Sequence, residues 1–113
     1  MTAVDDLERG AIVWASDPLS EKGRPLLVLG TPRFPTHGLQ LITALITTKT
    51  YHEESITLRD DDYKGDPLGT QSHVLPWSLV TLTSAAAVDY HMTSLVDDRT
   101  EDVVTQAVSY ISS

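Results

Sequence analysis

The sequence contains no cysteine and no long apolar run. The absence of cysteine excludes disulfide frameworks, thiolate zinc sites, thiol nucleophiles and iron–sulfur clusters. No apolar run reaches the about 18 residues of a membrane-spanning helix. The first ten residues, MTAVDDLERG, lack the basic and apolar regions of a secretory leader. We therefore expect a cytoplasmic protein without a membrane partner.

Basic residues are scarce. Eight Lys and Arg residues stand against sixteen Asp and Glu residues, which gives a formal net charge of -8. This charge argues against a protein that coats nucleic acid through a broad basic surface. The 113 residues are 41% hydrophobic and 21% charged, which is typical of a globular protein and of one domain's length. We expect residues 1–113 to form a single domain.

Motifs for phosphate and metal binding are also missing. The sequence has no GxGxxG, GxxxxGK[ST] or GxSxG motif, and its four histidines show no HxH or HxxxH spacing. Asp60, Asp62 and Gly65 match positions 1, 3 and 6 of a calcium loop, but Lys64 and Gln71 occupy positions 5 and 12. We predict a solvated acidic turn there, and neither metal nor cofactor.

Short apolar runs separated by turn-rich segments predict an antiparallel sheet. The predicted strands cover residues 11–15, 25–29, 39–47, 55–58 and 74–82. Pro76 interrupts the last strand, and because proline cannot donate to a ladder, we expect an edge or a bulge there. After Asp97 the apolar spacing becomes helical, in the residues Val103, Val104, Ala107, Val108 and Ile111. The fold class is therefore mainly β with a C-terminal α-helix.

The charges are unevenly distributed along the chain. Residues 51–113 hold three bases and eleven acids, whereas residues 22–52 hold four cations and no acid. These cations are Lys22, Arg24, Arg33 and Lys49. They either converge on one face that binds an anion or are ordinary surface scatter.

Seven short segments carry a resemblance that extends over most of the chain. In order they are Arg9-Gly10 with AIVW, Asp17-Pro18, Gly23-Arg24-Pro25 with LLVL, ALITT at 44–48, ESITL at 54–58, residues 72–82 and the terminal helix. Together they resemble the MazF/PemK family of toxin–antitoxin endoribonucleases. The resemblance implies a compact SH3-like antiparallel β-barrel, MazF/CcdB-like, with a C-terminal α-helix. It also implies a homodimer, an antitoxin partner and metal-independent cleavage of single-stranded RNA.

The resemblance assigns two catalytic positions. Arg24 matches the family's arginine before proline, and Thr47 matches the threonine that ends its third strand. When a 2′-hydroxyl attacks the adjacent phosphorus, negative charge builds on the phosphoryl oxygens. A guanidinium and a hydroxyl donor stabilise that charge without a metal.

Five further residues are predicted to contact RNA: Lys22, Arg33, Thr48, Lys49 and His73. Histidine ionises near neutral pH and is suited to proton transfer. The sequence departs from the family at Ala11, where the family has an acidic residue. It also departs in the late strand, where Leu75, Trp77 and Ser78 replace polar residues of the family. We expect either altered chemistry, in which His73 or Ser78 substitutes for the missing acid–base partner, or a weakened enzyme.

Two alternatives keep the fold without the cleavage. One is a CcdB-like toxin that binds gyrase, and the other is a module that binds RNA or the antitoxin only. Trp14 and Trp77 are expected to pack in the core or a dimer interface, although Trp77 is also a candidate for base stacking. The three lysines, eleven aspartates and fourteen threonines resemble the balance of salt-adapted proteins.

Overall fold

A computed structural model describes residues 7–16, 23–31, 33, 40–49, 52–82 and 88–112. Its strands are β1 (Ala11–Ser16), β2 (Gly23–Val28), β3 (Leu41–Thr47), β4 (Ile56–Thr57), β5 (His73–Leu82) and β6 (Val88–Ser94), and helix α1 covers Asp97–Ser109. Every strand pair is antiparallel, in the order β4-β5-β3-β2-β1-β6. The predicted antiparallel sheet and C-terminal helix are confirmed.

The sheet curls without closing into a complete barrel. In the part of the chain that the structure describes, β4 and β6 are the two end strands and do not pair with each other. The segments that follow them meet at one isolated bridge between Tyr63 and Leu95. Around it, the Lys64 N–H donates to the Ser94 carbonyl at 2.8 Å. The predicted barrel is therefore an open sheet whose ends touch beside helix α1.

Apolar side chains alternate along the strands and build two cores, because successive residues of a strand point to opposite faces. One core includes Ile12, Leu27, Ala44, Ile46, Val74 and, from helix α1, Val103. The other includes Val13, Ala15, Leu26, Val28, Leu41 and Leu82. With buried residues on both faces, the central strands hold their register firmly, since a slip of one residue would exchange the two sets.

Strand β5 contains a bulge of three residues that begins at Pro76. Leu75 pairs with Leu45, but the next pair joins Leu79 to Ala44, so that Pro76 and the two residues after it have no partner in β3. This confirms the predicted irregularity. The bulge is where Trp77 lies, with 38% of its surface exposed. Trp77 is therefore not a core residue of this chain, and its packing in a dimer interface stays a prediction.

Helix α1 docks through its first turns. Arg99 Nη2 donates to the Thr57 carbonyl at 2.8 Å, and Arg99 Nε lies 3.3 Å from an Asp62 carboxylate oxygen. Arg9 forms a further ion pair with Glu101. Asp62 closes a 3₁₀ turn over Asp60–Asp62, so the predicted acidic turn is partly neutralised by the helix. Helix α1 is too short and too polar to cross a membrane, and the described residues contain no other candidate.

Candidate functional site

Strand register aligns the predicted catalytic residues in one row across the sheet. Thr47, the last residue of β3, pairs directly with His73, the first residue of β5. Strands β2 and β3 pair at Leu26 and Leu45, and the same register two residues further along aligns Arg24 with Thr47. Directly opposed residues share a face of an antiparallel sheet. Arg24, Thr47 and His73 therefore occupy neighbouring positions on three adjacent strands.

A cavity of about 400 Å³ lies at this end of the sheet, where β2 begins and β3 ends. Its lining contains four of the predicted site residues: Arg24, Thr47, Thr48 and Lys49. The rest of the lining is Trp14, Pro25, Ile46, Thr70, Ser72 and Met92. Alternation places the two strand residues Arg24 and Thr47 on the opposite face from Trp14 and Ile46. Both faces reach the cavity because it lies at the end of the strands.

The Thr47 hydroxyl is oriented by a local turn. The backbone N–H of Lys49 donates to Thr47 Oγ1 at 3.1 Å. Such a bond from a residue two positions on is typical of Ser and Thr turns. Because the oxygen accepts this bond, the hydroxyl hydrogen remains a donor, and it makes no hydrogen bond to another described residue. An anion in the cavity is the acceptor that this arrangement suits.

His73 is buried beside Thr47, with 5% of its surface exposed. Its Nδ1 lies 2.9 Å from Thr57 Oγ1 on β4, the next strand of the row. Its Nε2 is buried and has no hydrogen-bond partner among the residues that the structure describes. A buried polar atom without a partner is rare in proteins and is often associated with a functional role. His73 does not itself line the cavity.

The remaining predicted residues lie elsewhere. Arg33 is exposed in a turn after β2, where its N–H donates to Thr31 Oγ1 at 3.3 Å, and it does not line the cavity. Ser78 belongs to the β5 bulge and is also absent from the cavity. Lys22 lies outside the described residues. The departure Ala11 is buried in the core, where an acidic side chain would be costly.

The other six lining residues were not predicted as site residues. Among them, Trp14 was expected to pack in the core or a dimer interface, and it is half-buried and stacks on Tyr90. Thr70 and Ser72 lie in the turn before β5, where the Ser72 hydroxyl donates to the Thr70 carbonyl at 2.9 Å. The signal that points to this turn is its position next to His73, within the segment that carries the family resemblance.

A second cavity of about 370 Å³ has a different character. It is lined by His52, Glu53, Glu54 and Trp77 and shares no residue with the first. The Trp77 ring lies edge-on to His52, with centroids 5.0 Å apart, and to Tyr110, with centroids 6.2 Å apart. Two carboxylates make this cavity unfavourable for a phosphate. Within the described ranges, no three side chains of His, Asp or Glu come together as metal ligands.

The fold is that of the MazF toxins. A chain of the MazE–MazF complex from Deinococcus radiodurans aligns with a TM-score of 0.73 and 18% identity, over 94% of this chain and 95% of that one. An endoribonuclease in complex with its cognate antitoxin, from a mycobacterial species, aligns with a TM-score of 0.66 and 17% identity over 97% and 93%. The Mycobacterium tuberculosis toxin MazF-mt6 aligns with a TM-score of 0.66 and 19% identity over 88% and 93%. No protein-family model matches the sequence, and no curated protein sequence does.

Proposed function

We propose that the protein is a MazF-type toxin that cleaves single-stranded RNA without a metal ion. The observation that carries the proposal is that Arg24 and Thr47 line the same cavity of about 400 Å³. A cation and a hydroxyl donor side by side are the pair that an RNA phosphate requires when charge builds on its oxygens. The likeness to solved endoribonucleases supports the same activity.

In the proposed reaction, the ribose 2′-oxygen forms a bond to the adjacent phosphorus and the bond from phosphorus to the 5′-oxygen breaks. The products are a 2′,3′-cyclic phosphate and a 5′-hydroxyl end. Arg24 and Thr47 donate hydrogen bonds to the two non-bridging oxygens, which carry the most charge in the transition state. The lining also includes the apolar residues Trp14, Pro25 and Ile46, and lower exposure to water would strengthen these hydrogen bonds once RNA fills the cavity.

We assign the proton of the 2′-hydroxyl to His73. His73 pairs with Thr47, and its Nδ1 is hydrogen-bonded to Thr57. Its Nε2 has no hydrogen-bond partner among the residues that the structure describes. The 5′-oxygen leaves with a proton returned from the same imidazole or from water. Ser78, the alternative substitute, is disfavoured because it lies in the β5 bulge, which has no partner in β3, whereas His73 pairs directly with Thr47.

The proposal includes two protein partners. A cognate antitoxin would cover the cavity and so exclude RNA, and a second copy would complete a homodimer. The support for an antitoxin is that solved structures of this fold include a MazE–MazF complex and an endoribonuclease bound to its cognate antitoxin. The acidic second half of the chain repels RNA from the remaining surface and confines it to the cationic end.

The decisive experiment incubates the purified protein with mixed-sequence RNA in EDTA and examines the 5′ ends of the fragments. We expect 5′-hydroxyl ends. Arg24→Ala and Thr47→Val should each lower the cleavage rate about 100-fold or more, as loss of a transition-state donor does. Arg59→Ala is the matched control, because Arg59 is exposed and lines a different cavity.

Each alternative gives its own result. Absence of fragments at high protein excess, over a range of salt, would refute the ribonuclease. RNA binding without cleavage would then leave the binding module, and inhibition of gyrase in a relaxation assay would indicate the CcdB-like toxin.

A further inference from the structure

Trp14 and Tyr90 form a paired aromatic surface beside the cavity. They are directly opposite each other on β1 and β6. Their rings are nearly parallel, with an angle of 11° between the planes and 6.5 Å between centroids. Tyr90 lies on the edge strand β6 and is 52% exposed. Tyr90 stacks on Trp14 and is still exposed to solvent, so its ring offers a flat face to a ligand.

The Trp14 indole packs directly against the backbone of Gly23. A Cβ atom on Gly23 would lie 2.3 Å from Trp14 Nε1 and 2.7 Å from Cε2, so the indole occupies the space that any other residue would need. Pro25, the residue of β2 opposite Trp14, also lines the cavity, as does Met92. Trp14 is therefore a rigid part of the wall.

Trp14 lines the cavity, and Tyr90, which is not a lining residue, extends the aromatic surface beyond it. Arg24, Thr47 and Lys49 line the same 400 Å³ space as Trp14. A nucleotide presents an anionic phosphate and an aromatic base a few ångströms apart, so one lining supplies a partner for each. We propose that Trp14 and Tyr90 are the stacking platform for the unpaired RNA base next to the cleaved phosphate. This inference rests on the proposed function and names how its substrate is held.

The other tryptophan of the chain provides a contrast. Trp77 is exposed, but the cavity that it lines contains the carboxylates of Glu53 and Glu54 and neither Lys nor Arg, its fourth lining residue being His52. An RNA strand stacked there would bring its phosphates close to two negative charges. Charge therefore favours Trp14 over Trp77 as the platform, although Trp77 was the candidate for base stacking that the sequence offered.

The test measures binding apart from cleavage. The probe is a mixed-sequence single-stranded oligonucleotide in which fluorine replaces every 2′-hydroxyl, so that no attacking group remains. Its partner is the same backbone without bases. In the Trp77→Phe variant Trp14 is the sole tryptophan, and we expect its fluorescence to be quenched by the base-bearing strand and hardly changed by the abasic strand.

Substitutions then locate the platform. Tyr90→Ala should weaken binding of the base-bearing strand about 10- to 100-fold, the range expected for loss of stacking on one base. Tyr90→Phe should restore it, since the ring face is kept. Trp77→Phe should leave the affinity unchanged. Because Tyr90 is half exposed, Tyr90→Ala is expected to keep its melting temperature, which a thermal scan checks.

The outcomes separate this inference from the proposed function. If the base-bearing strand quenches Trp14 but RNA is not cut, the platform stands and the ribonuclease fails. If RNA is cut but Tyr90→Ala binds as wild type does, the platform is refuted and the ribonuclease stands. Equal affinity for the abasic strand, or a loss of affinity in Trp77→Phe alone, would also overturn the platform.

Discussion

Gly23→Ala is the substitution that most directly tests the packing of the site. The new methyl group would lie 2.3 Å from Nε1, 2.7 Å from Cε2 and 3.1 Å from Cζ2 of Trp14. To regain an ordinary contact of 3.4 Å or more, the indole has to move by about 1 Å. Its ring is rigid and stacks on Tyr90, so the movement cannot be absorbed by one flexible side-chain end.

Overpacking of this kind costs about 1–3 kcal/mol. In a domain of this size, that cost lowers the melting temperature by about 4 to 15 °C. The displaced indole should also weaken binding of the 2′-fluoro oligonucleotide, although Arg24, Thr47 and His73 are unchanged. Thermal unfolding followed by circular dichroism, and fluorescence titration with the oligonucleotide, measure the two effects.

Gly69→Ala is the matched control. A Cβ atom at Gly69 has no heavy atom within 4 Å, and the backbone there is not in the left-handed region. The substitution should be neutral or stabilise by about 0.4–1 kcal/mol, because alanine restricts the unfolded chain. If Gly23→Ala melts within a degree of Gly69→Ala, then Trp14 does not lie against Gly23 and the reasoning about the cavity wall is refuted.

Three further predictions concern the hydrophobic core, the dependence of stability on pH, and the hydrogen bond between Thr57 and His73. Val103→Ala should lower the free energy of unfolding by about 2 kcal/mol in urea titrations, because Val103 is fully buried. Val108→Ala, on the exposed side of the same helix, should change it little. Equal effects of the two substitutions would contradict the orientation of the helix. Burial, with smaller effects of nearby carboxylates, raises the pKa of Tyr63 above its usual 10.0, while a backbone hydrogen bond with Leu68 opposes the shift. The native state then keeps a proton that the unfolded chain loses, so stability should fall as pH rises above about 10, and Tyr63→Phe should reduce that fall in unfolding measured at pH 8 and pH 11. Thr57→Val removes the partner of His73 Nδ1 and should alter the pH profile of RNA cleavage more than RNA affinity, whereas an unchanged profile would argue against His73 as the proton acceptor.

Local sequence patterns were sufficient to predict most elements. The runs that form β1, β2 and β3 are rich in Val, Ile and Leu because both faces of these strands contribute buried residues, whereas the later part of β5 alternates between exposed and less exposed residues. The helical spacing of α1 marks the face that packs on the sheet. Strand β6 was not predicted. It is an edge strand with the exposed residues Asp89, Tyr90 and His91, and most of its side chains contact no core. An edge strand owes its conformation to its neighbour, here β1, which lies far away in the sequence.

The candidate site depends on information of the same long-range kind. Arg24 and Thr47 could be singled out by resemblance, but their alignment depends on the β2–β3 register, which no local pattern contains. The roles of the two tryptophans depend on what lies beside them. Three residues of β5 bulge out and turn Trp77 towards Glu53 and Glu54, while a glycine at the start of β2 makes room for Trp14. Composition alone does not distinguish these two environments.

The pairing of β1 with β6 has a consequence for how the site is assembled. Trp14 and Tyr90 are about 75 residues apart in the chain, so the ordering entropy of a long loop opposes their meeting, and contacts of such separation slow folding. A chain interrupted before β6 would keep Arg24 and Thr47 but would lack the outer half of the aromatic wall. We therefore expect the proposed platform to form late in folding, because it requires the first and the last strand of the sequence to have paired.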